Sequence, residues 1–308
     1  MTQNRREKIN AYYLKHELYG RYLVTFFGVF LIILTICLVF FISSKGLATF
    51  VKDRVSPLDF LFSSQWKPDR EFEDGGPLVG ALIFIAGSLS VSLIALIIST
   101  PFSIATAIFM SEISPNLGKK VMQPAIEIFV GIPSVVYGWV GLSALVPFIR
   151  NAFGGLGFSL LAGSLVLAIM IFPTIASVSA DALRGLPCDY KEASYSLGAT
   201  RWQTIRKVLI PAAVPGVLTG VVLGLARAFG EALAVQMVIG NSIRLPDGLL
   251  DSATNLTSII TMDMGNTVAG SVWNNALWSM ALLLLIISFV FIILIHKIGA
   301  KGGSMKCE

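Results

Sequence analysis

Charge is scarce in this sequence. Asp, Glu, Lys and Arg make up 13% of the 308 residues, about half their usual share in a soluble chain. A hydrophobic fraction of 55% and a mean hydropathy of +0.78 accompany that deficit, so much of the surface faces lipid. Histidine is nearly missing, with two residues, and the three cysteines lie apart: Cys37 in an apolar run, Cys188 in a loop and Cys307 in the tail. Such spacing excludes a metal cluster or a disulfide framework and reads as reduced, incidental thiols. No Gly-rich loop ending in Lys and Ser or Thr is present, which excludes ATP binding by that route. Low-complexity tracts and internal repeats are also missing. Energy for any transport must come from another chain or from an ion gradient.

What is there instead is a series of apolar runs of about 20 residues, each long enough at 1.5 Å per residue to cross roughly 30 Å of hydrocarbon. They fall near 22–43, 79–109, 124–148, 159–182, 212–240 and 272–295, predicting an all-α polytopic bundle of about six transmembrane helices. The first run follows Arg5, Arg6, Lys8, Lys15 and Arg21. It is too long for a signal-peptide core and no small-residue cleavage site follows, so it reads as a retained anchor. The divisions are an N-terminal segment 1–21, a first helix 22–43, an outer loop 44–78, a five-helix core 79–295 and a tail 296–308. The outer loop is the longest polar segment, with Asp53, Asp59, Asp69, Glu71, Glu73 and Asp74 near Trp66.

Lys and Arg sort by side. Fifteen of the 23 fall on one: the five N-terminal ones, Lys119, Lys120, Arg184, Lys191, Arg201, Arg206, Lys207, Lys297, Lys301 and Lys306. The positive-inside rule therefore puts both termini in the cytoplasm and makes the number of spans even. The net charge of +5 is spread over short loops without interleaved aromatics, which argues against nucleic acid as a partner. Membrane lipid is the partner it implies.

Three places interrupt the apolar pattern. Within the inner segment 183–211, Pro187 and Asp189 suit a helix start, Ala193, Leu197 and Trp202 give an apolar face, and Gly198 breaks the first short helix. That composition fits a helix lying along the membrane as a docking element, or an ordinary amphipathic connector. In the fifth run, Arg227 and Glu231 fall four apart, which on a continuous helix shares a face. Each costs a few kcal/mol at the bilayer centre on insertion scales, so both must face protein or water. They form either a substrate path or a self-neutralising pair. In the third run Glu127 precedes Gly131, Pro133 and Gly138, a composition that kinks or breaks a helix. Glu127 either caps that break or lines the path. Gly216, Gly220 and Gly224 make a ladder for a tight helix crossing, within the chain or to a partner.

The spacing of Glu192-Ala193-Ser194, Gly198, Val208, Ile210 and Pro211 resembles the EAA loop of ABC-importer permeases. Ser194, Val208 and Ile210 replace the usual Ala, Ile and Leu. Adding Gly131-Ile132-Pro133-Ser134-Val135-Val136-Tyr137-Gly138 and Arg227-Ala228-Phe229-Gly230-Glu231 with Gly240-Asn241, the whole chain is similar to the PstC-type permeases of phosphate-specific ABC importers. The resemblance implies a type I permease fold in a bacterial or archaeal plasma membrane, with no enzyme activity of its own. It implies inorganic phosphate passing Arg227 and Glu231, and a coupling helix through which Glu192, Ala193, Gly198, Arg201, Trp202 and Pro211 meet an ATPase. The implied partners are a PstA-type permease, a PstB-type ATPase dimer holding ATP and Mg, and an extracytoplasmic phosphate-binding protein.

Overall fold

The computed structural model describes residues 3–70 and 75–303, the side chains of 3–19 and 298–303 excepted. Glu71, Glu73, Asp74, Lys306 and Cys307, with the side chains of Arg5, Arg6, Lys8, Lys15 and Lys301, lie outside the described residues. Ten helices carry the architecture. They are α1 (Gln3–Gly46), α2 (Leu82–Ile113), α3 (Gln123–Gly131), α4 (Ser134–Phe153), α5 (Leu160–Arg184), α6 (Asp189–Ser196), α7 (Arg201–Gly230), α8 (Leu233–Ile239), α9 (Leu256–Asp263) and α10 (Val272–Gly303). Among the described residues, α1, α2, α4, α5, α7 and α10 are each long and apolar enough to cross a membrane.

Burial separates the centre from the rim. The most apolar stretch of α5 is 61% buried while that of α1 is 0% buried, so α5 is the axis of the bundle and α1 faces lipid. Val91 and Ala95 of α2, Leu167, Ile171 and Ile175 of α5, Ala228 of α7 and Val235 of α8 form one core cluster around that axis. In lipid the hydrophobic effect does not drive helix association, so close van der Waals packing through small residues does that work. The glycine ladder of α7 shows where. A Cβ at Gly216 would overlap Ala182, one at Gly220 would stand 3.2 Å from Val178 Cβ, and one at Gly224 would stand 2.6 Å from Ile175 Cγ1. The ladder is therefore a crossing of α7 on α5 within this chain.

The described part of the outer loop packs around its tryptophan. After α1 come short helices at Ala48–Val51 and Pro57–Phe62, then an antiparallel pair, β1 (Trp66–Lys67) with β2 (Leu78–Val79), in the register Trp66 to Val79. Trp66 packs edge-on against Phe84 at 5.2 Å, in a second core with Phe60, Leu256 and Leu277. Asn275 donates to Asp53 Oδ2 at 2.9 Å, and Ser279 donates to Gly46 O at 2.6 Å. These bonds seat the end of α1 on α10.

Helix bounds differ from the apolar runs where polar residues are helical or apolar residues are not. The run 124–148 is broken: Ile132 and Pro133 are extended, at ψ 128° and 140°. A residue before proline is pushed out of the helical region, and proline itself is apolar, so hydropathy passes over the break. The run 212–240 likewise contains a break at Glu231, with ψ 123°. The helix feeding it starts at Arg201, where Thr200 and Gln203 form a capping box, eleven residues before the hydropathy rises.

Candidate functional site

The helices that follow the two breaks pack against each other. Gly138 of α4 faces Ala234 and Met237 of α8, and a Cβ on it would stand 2.9 Å from Ala234 Cα and 2.8 Å from Met237 Sδ. The segments that follow the breaks are thereby pressed together at one level of the bundle. Each break leaves backbone groups that hydrocarbon cannot satisfy, and side chains satisfy several of them. Tyr137 donates its hydroxyl to Phe129 O at 2.8 Å, spanning the first break. At the second, Glu231 Oε1 accepts from Ala234 N at 3.3 Å and Thr257 donates to Glu231 O at 2.8 Å. Gly230 weakens the helix at that point, and the Glu231 carboxylate caps the next one.

Arg227 and Glu231 lie one turn apart, but the helix ends at the second of them and they form no ion pair within 4.0 Å. Glu231 is extended and lies past the end of α7. Arg227 donates from Nη1 to Thr174 Oγ1 of α5 at 2.9 Å. Among the described residues, the ion pairs within 4.0 Å are Arg184–Asp181 and Lys191–Glu112, so Arg227 and Glu231 do not neutralise each other directly. Both side chains are partly exposed. A guanidinium has five donors, and one of Arg227's is used. Glu231 Oε2 likewise accepts no hydrogen bond among the described residues. The site thus holds a cation and a carboxylate separated within a few residues of chain, each with spare hydrogen-bonding capacity.

Glu127 is placed elsewhere. It is exposed on α3 and makes no hydrogen bond among the described residues, so it does not cap the break; Tyr137 serves that carbonyl instead. Beside α3 and α4 runs an open apolar groove of 640 Å³ lined by Phe129, Ile132, Val136, Val140, Phe148 and Ile169. It carries no charge.

In the inner segment, α6 begins at Asp189 and ends at Ser196, and Gly198 has φ +76°, a conformation that favours glycine. Glu192 and Ala193 are exposed, as are Tyr195 (47%), Leu197 (89%) and Trp202 (58%). An apolar face is therefore open on this end of the bundle. Arg201 is turned the other way, donating to the carbonyls of Glu112 and Ile113 at the end of α2. Pro211 opens the fully α-helical part of α7 at its second residue. Ser194, the departure from Ala in the loop pattern, is buried and bonded to Thr204 Oγ1 at 2.9 Å.

Thr174, Thr257, Glu112 and Lys191 take part in these two centres without having been singled out in the sequence. Glu112 did carry a signal: an acid at a helix C-terminus opposes the helix dipole and calls for a cation. Thr174 and Thr257 carried none, because helical hydroxyls commonly bond within their own helix.

Comparison with known proteins agrees with this architecture. Residues 99–301 match the family described as "Binding-protein-dependent transport system inner membrane component". A "Probable ABC transporter permease protein YqgH" of Bacillus subtilis (strain 168) is 54% identical over 92% of this chain and 91% of its own. A "Phosphate transport system permease protein PstC" of Pasteurella multocida (strain Pm70) is 34% identical over 98% of each chain. Among solved structures, a chain of the MetNI methionine ABC transporter superposes with a TM-score of 0.54 at 22% identity, covering 70% of this chain and 93% of that one. That likeness shows the fold alone. With the match to the family covering all three interruptions of the apolar pattern, the coupling-type loop among them, this multi-pass plasma-membrane chain belongs to the inner-membrane permease components of binding-protein-dependent ABC transport systems.

Proposed function

We propose that the chain forms one half of the translocation path of an ATP-driven importer of inorganic phosphate. The observation that carries this reading is Arg227, a guanidinium inside the bundle whose sole hydrogen bond among the described residues is to the neutral Thr174 hydroxyl. Its remaining donors have the planar, forked geometry that suits phosphate oxygens. Relatives named as phosphate permeases in bacteria and in an archaeon support the same cargo.

The partner chains in this reading are a PstA-type permease as the other half of the path, a PstB-type ATPase dimer, and a phosphate-binding protein outside. ATP and Mg belong to the ATPase. Closure of that dimer moves α6, and α6 is covalently continuous with α5 and α7, which cross at the glycine ladder. The path opens outward to the loaded binding protein, and hydrolysis resets it: alternating access by rigid-body rocking. Hydrogen phosphate carries a proton that Glu231 can accept in a hydrogen bond, whereas sulfate at neutral pH carries none. The paired roles are attraction by Arg227 and discrimination by Glu231.

ATP-dependent uptake of labelled phosphate by proteoliposomes holding the chain with its co-purified partners tests the reading. Uptake resistant to excess sulfate is the expected result. A fully assembled complex that hydrolyses ATP and takes up no phosphate would overturn the cargo.

A further inference from the structure

The end of α2 and the inner segment are joined by a buried electrostatic contact that the translocation reading does not use. Glu112 lies on the last, widened turn of α2, Phe109–Ile113, with 7% of its side chain exposed, and its Oε1 is 2.8 Å from Lys191 Nζ of α6. Arg201, the first residue of α7, donates to Glu112 O and, at 2.9 Å, to Ile113 O. Two cations from the two arms of the coupling segment thus hold one helix end. Lys191 neutralises a side chain that opposes the dipole, while Arg201 caps the carbonyls that the helix leaves unpaired. Removing one partner would leave a buried charge uncompensated.

The segment is also closed on itself. Ser194 Oγ and Thr204 Oγ1 are 2.9 Å apart and both buried, and the Thr200–Gln203 capping box fixes the entry to α7. With Gly198 the hinge-like turn between them, α6, the start of α7 and the end of α2 make one tied body. α2 is not a chain neighbour of α6; seventy-eight residues separate Glu112 from Lys191. A push on α6 therefore reaches α2 directly, in addition to the route through α5, on which α2 is packed.

We infer that Glu112, held by Lys191 and Arg201, is a positioning residue that makes α2 move with the coupling helix, so that the clamp sets how much transport each ATP yields. The inference rests on the importer reading for its function and on geometry alone for the tie. Two measurements keep these apart. In reconstituted complex, Glu112→Gln and Lys191→Met should each lower uptake per ATP hydrolysed by at least about fivefold, the low end for coupling between distant sites. Basal hydrolysis and assembly should persist. Lys191→Arg, which keeps the cation, should retain wild-type coupling, and the double variant should be no worse than either single one, as expected for residues acting as a pair.

The second measurement needs neither cargo nor ATPase. Spin labels at Leu93→Cys on α2 and Tyr195→Cys on α6, in a chain whose native cysteines are replaced by Ser, report the α2–α6 distance in detergent. A narrow distribution is expected with Lys191 and a broad one with Lys191→Met. Equal distributions, or single variants with wild-type uptake per ATP, would overturn the clamp. A wild-type complex that takes up no phosphate while the distance distribution responds to Lys191→Met would overturn the cargo and leave the tie standing.

Discussion

Two groups of charges in this chain are handled in opposite ways. At the inner end of α2, Glu112 is buried with Lys191 2.8 Å away and Arg201 on its carbonyl. At the breaks within the bundle, Arg227 holds only a threonine and Glu231 holds a backbone amide. The first group has its partners within the chain. In the second, cation and carboxylate form no ion pair with each other within 4.0 Å among the described residues. Charges paired with each other lock elements together, while charges kept from pairing remain available to a third party. In the proposed reading, a passing anion offsets the insertion cost of Arg227.

That contrast can be broken at several points. The largest effect is expected at Arg227: Arg227→Gln should lower phosphate uptake about a hundredfold, from losing two hydrogen bonds to a charged group, with Arg227→Lys in between. Proteoliposome uptake measures it, and near-normal uptake would reduce Arg227 to a structural partner of Thr174. Glu231→Gln keeps an amide oxygen for Ala234 N, so the cap and the fold should survive. The preference for phosphate over sulfate should shift about tenfold, one such bond. A variant that transports with unchanged selectivity would assign Glu231 to capping alone.

Packing predictions sharpen the same contrast by isolating stability from transport. Gly224→Val forces branched carbon against Ile175 and should cost about 1–3 kcal/mol through overpacking, read as a lower Tm of the purified chain in detergent. An unchanged Tm would mean that α7 and α5 can separate freely. A smaller effect is expected outside the spans at Asp263, where burial raises the carboxyl above its ordinary value although the polar indole N–H of Trp273 opposes the shift. A carboxyl raised on folding lowers stability as pH climbs through its folded pKa. Asp263→Asn should therefore raise Tm slightly at neutral pH, with the gain vanishing below about pH 4, where the ordinary aspartate protonates. A gain that persists in acid would point to a cause other than ionisation.

Much of the bundle was legible because lipid imposes one rule on every span. Six apolar runs located six spanning helices, and Gly198, Asp189 and the loop spacing located α6 to within a residue or two. The breaks were less so. Pro133 announced a break in the third run, but the fifth run has no proline between Pro215 and Glu231, so the end of the helix at Glu231 went unsignalled. Only the coordinates show that Glu231 caps the following helix. Arg201 was legible as part of the loop, yet its direction, inward to α2 and not outward with Trp202, depends on a residue 89 positions away. Hydropathy orders a chain along its length; it does not say which helix end a side chain will reach across to.

Arg227 and Arg201 mark the two kinds of charge, and one experiment sets them side by side. Complexes carrying Arg227→Gln or Arg201→Gln would be reconstituted and assayed for phosphate uptake and for the rise in ATP hydrolysis caused by loaded binding protein. Loss of Arg227 should lower uptake about a hundredfold while the rise persists, because the ATPase still moves an intact coupling segment. Loss of Arg201 should weaken the rise and the uptake together. Two variants with the same profile, or normal uptake without Arg227, would contradict the division of labour between the open charge in the path and the paired charges beneath it.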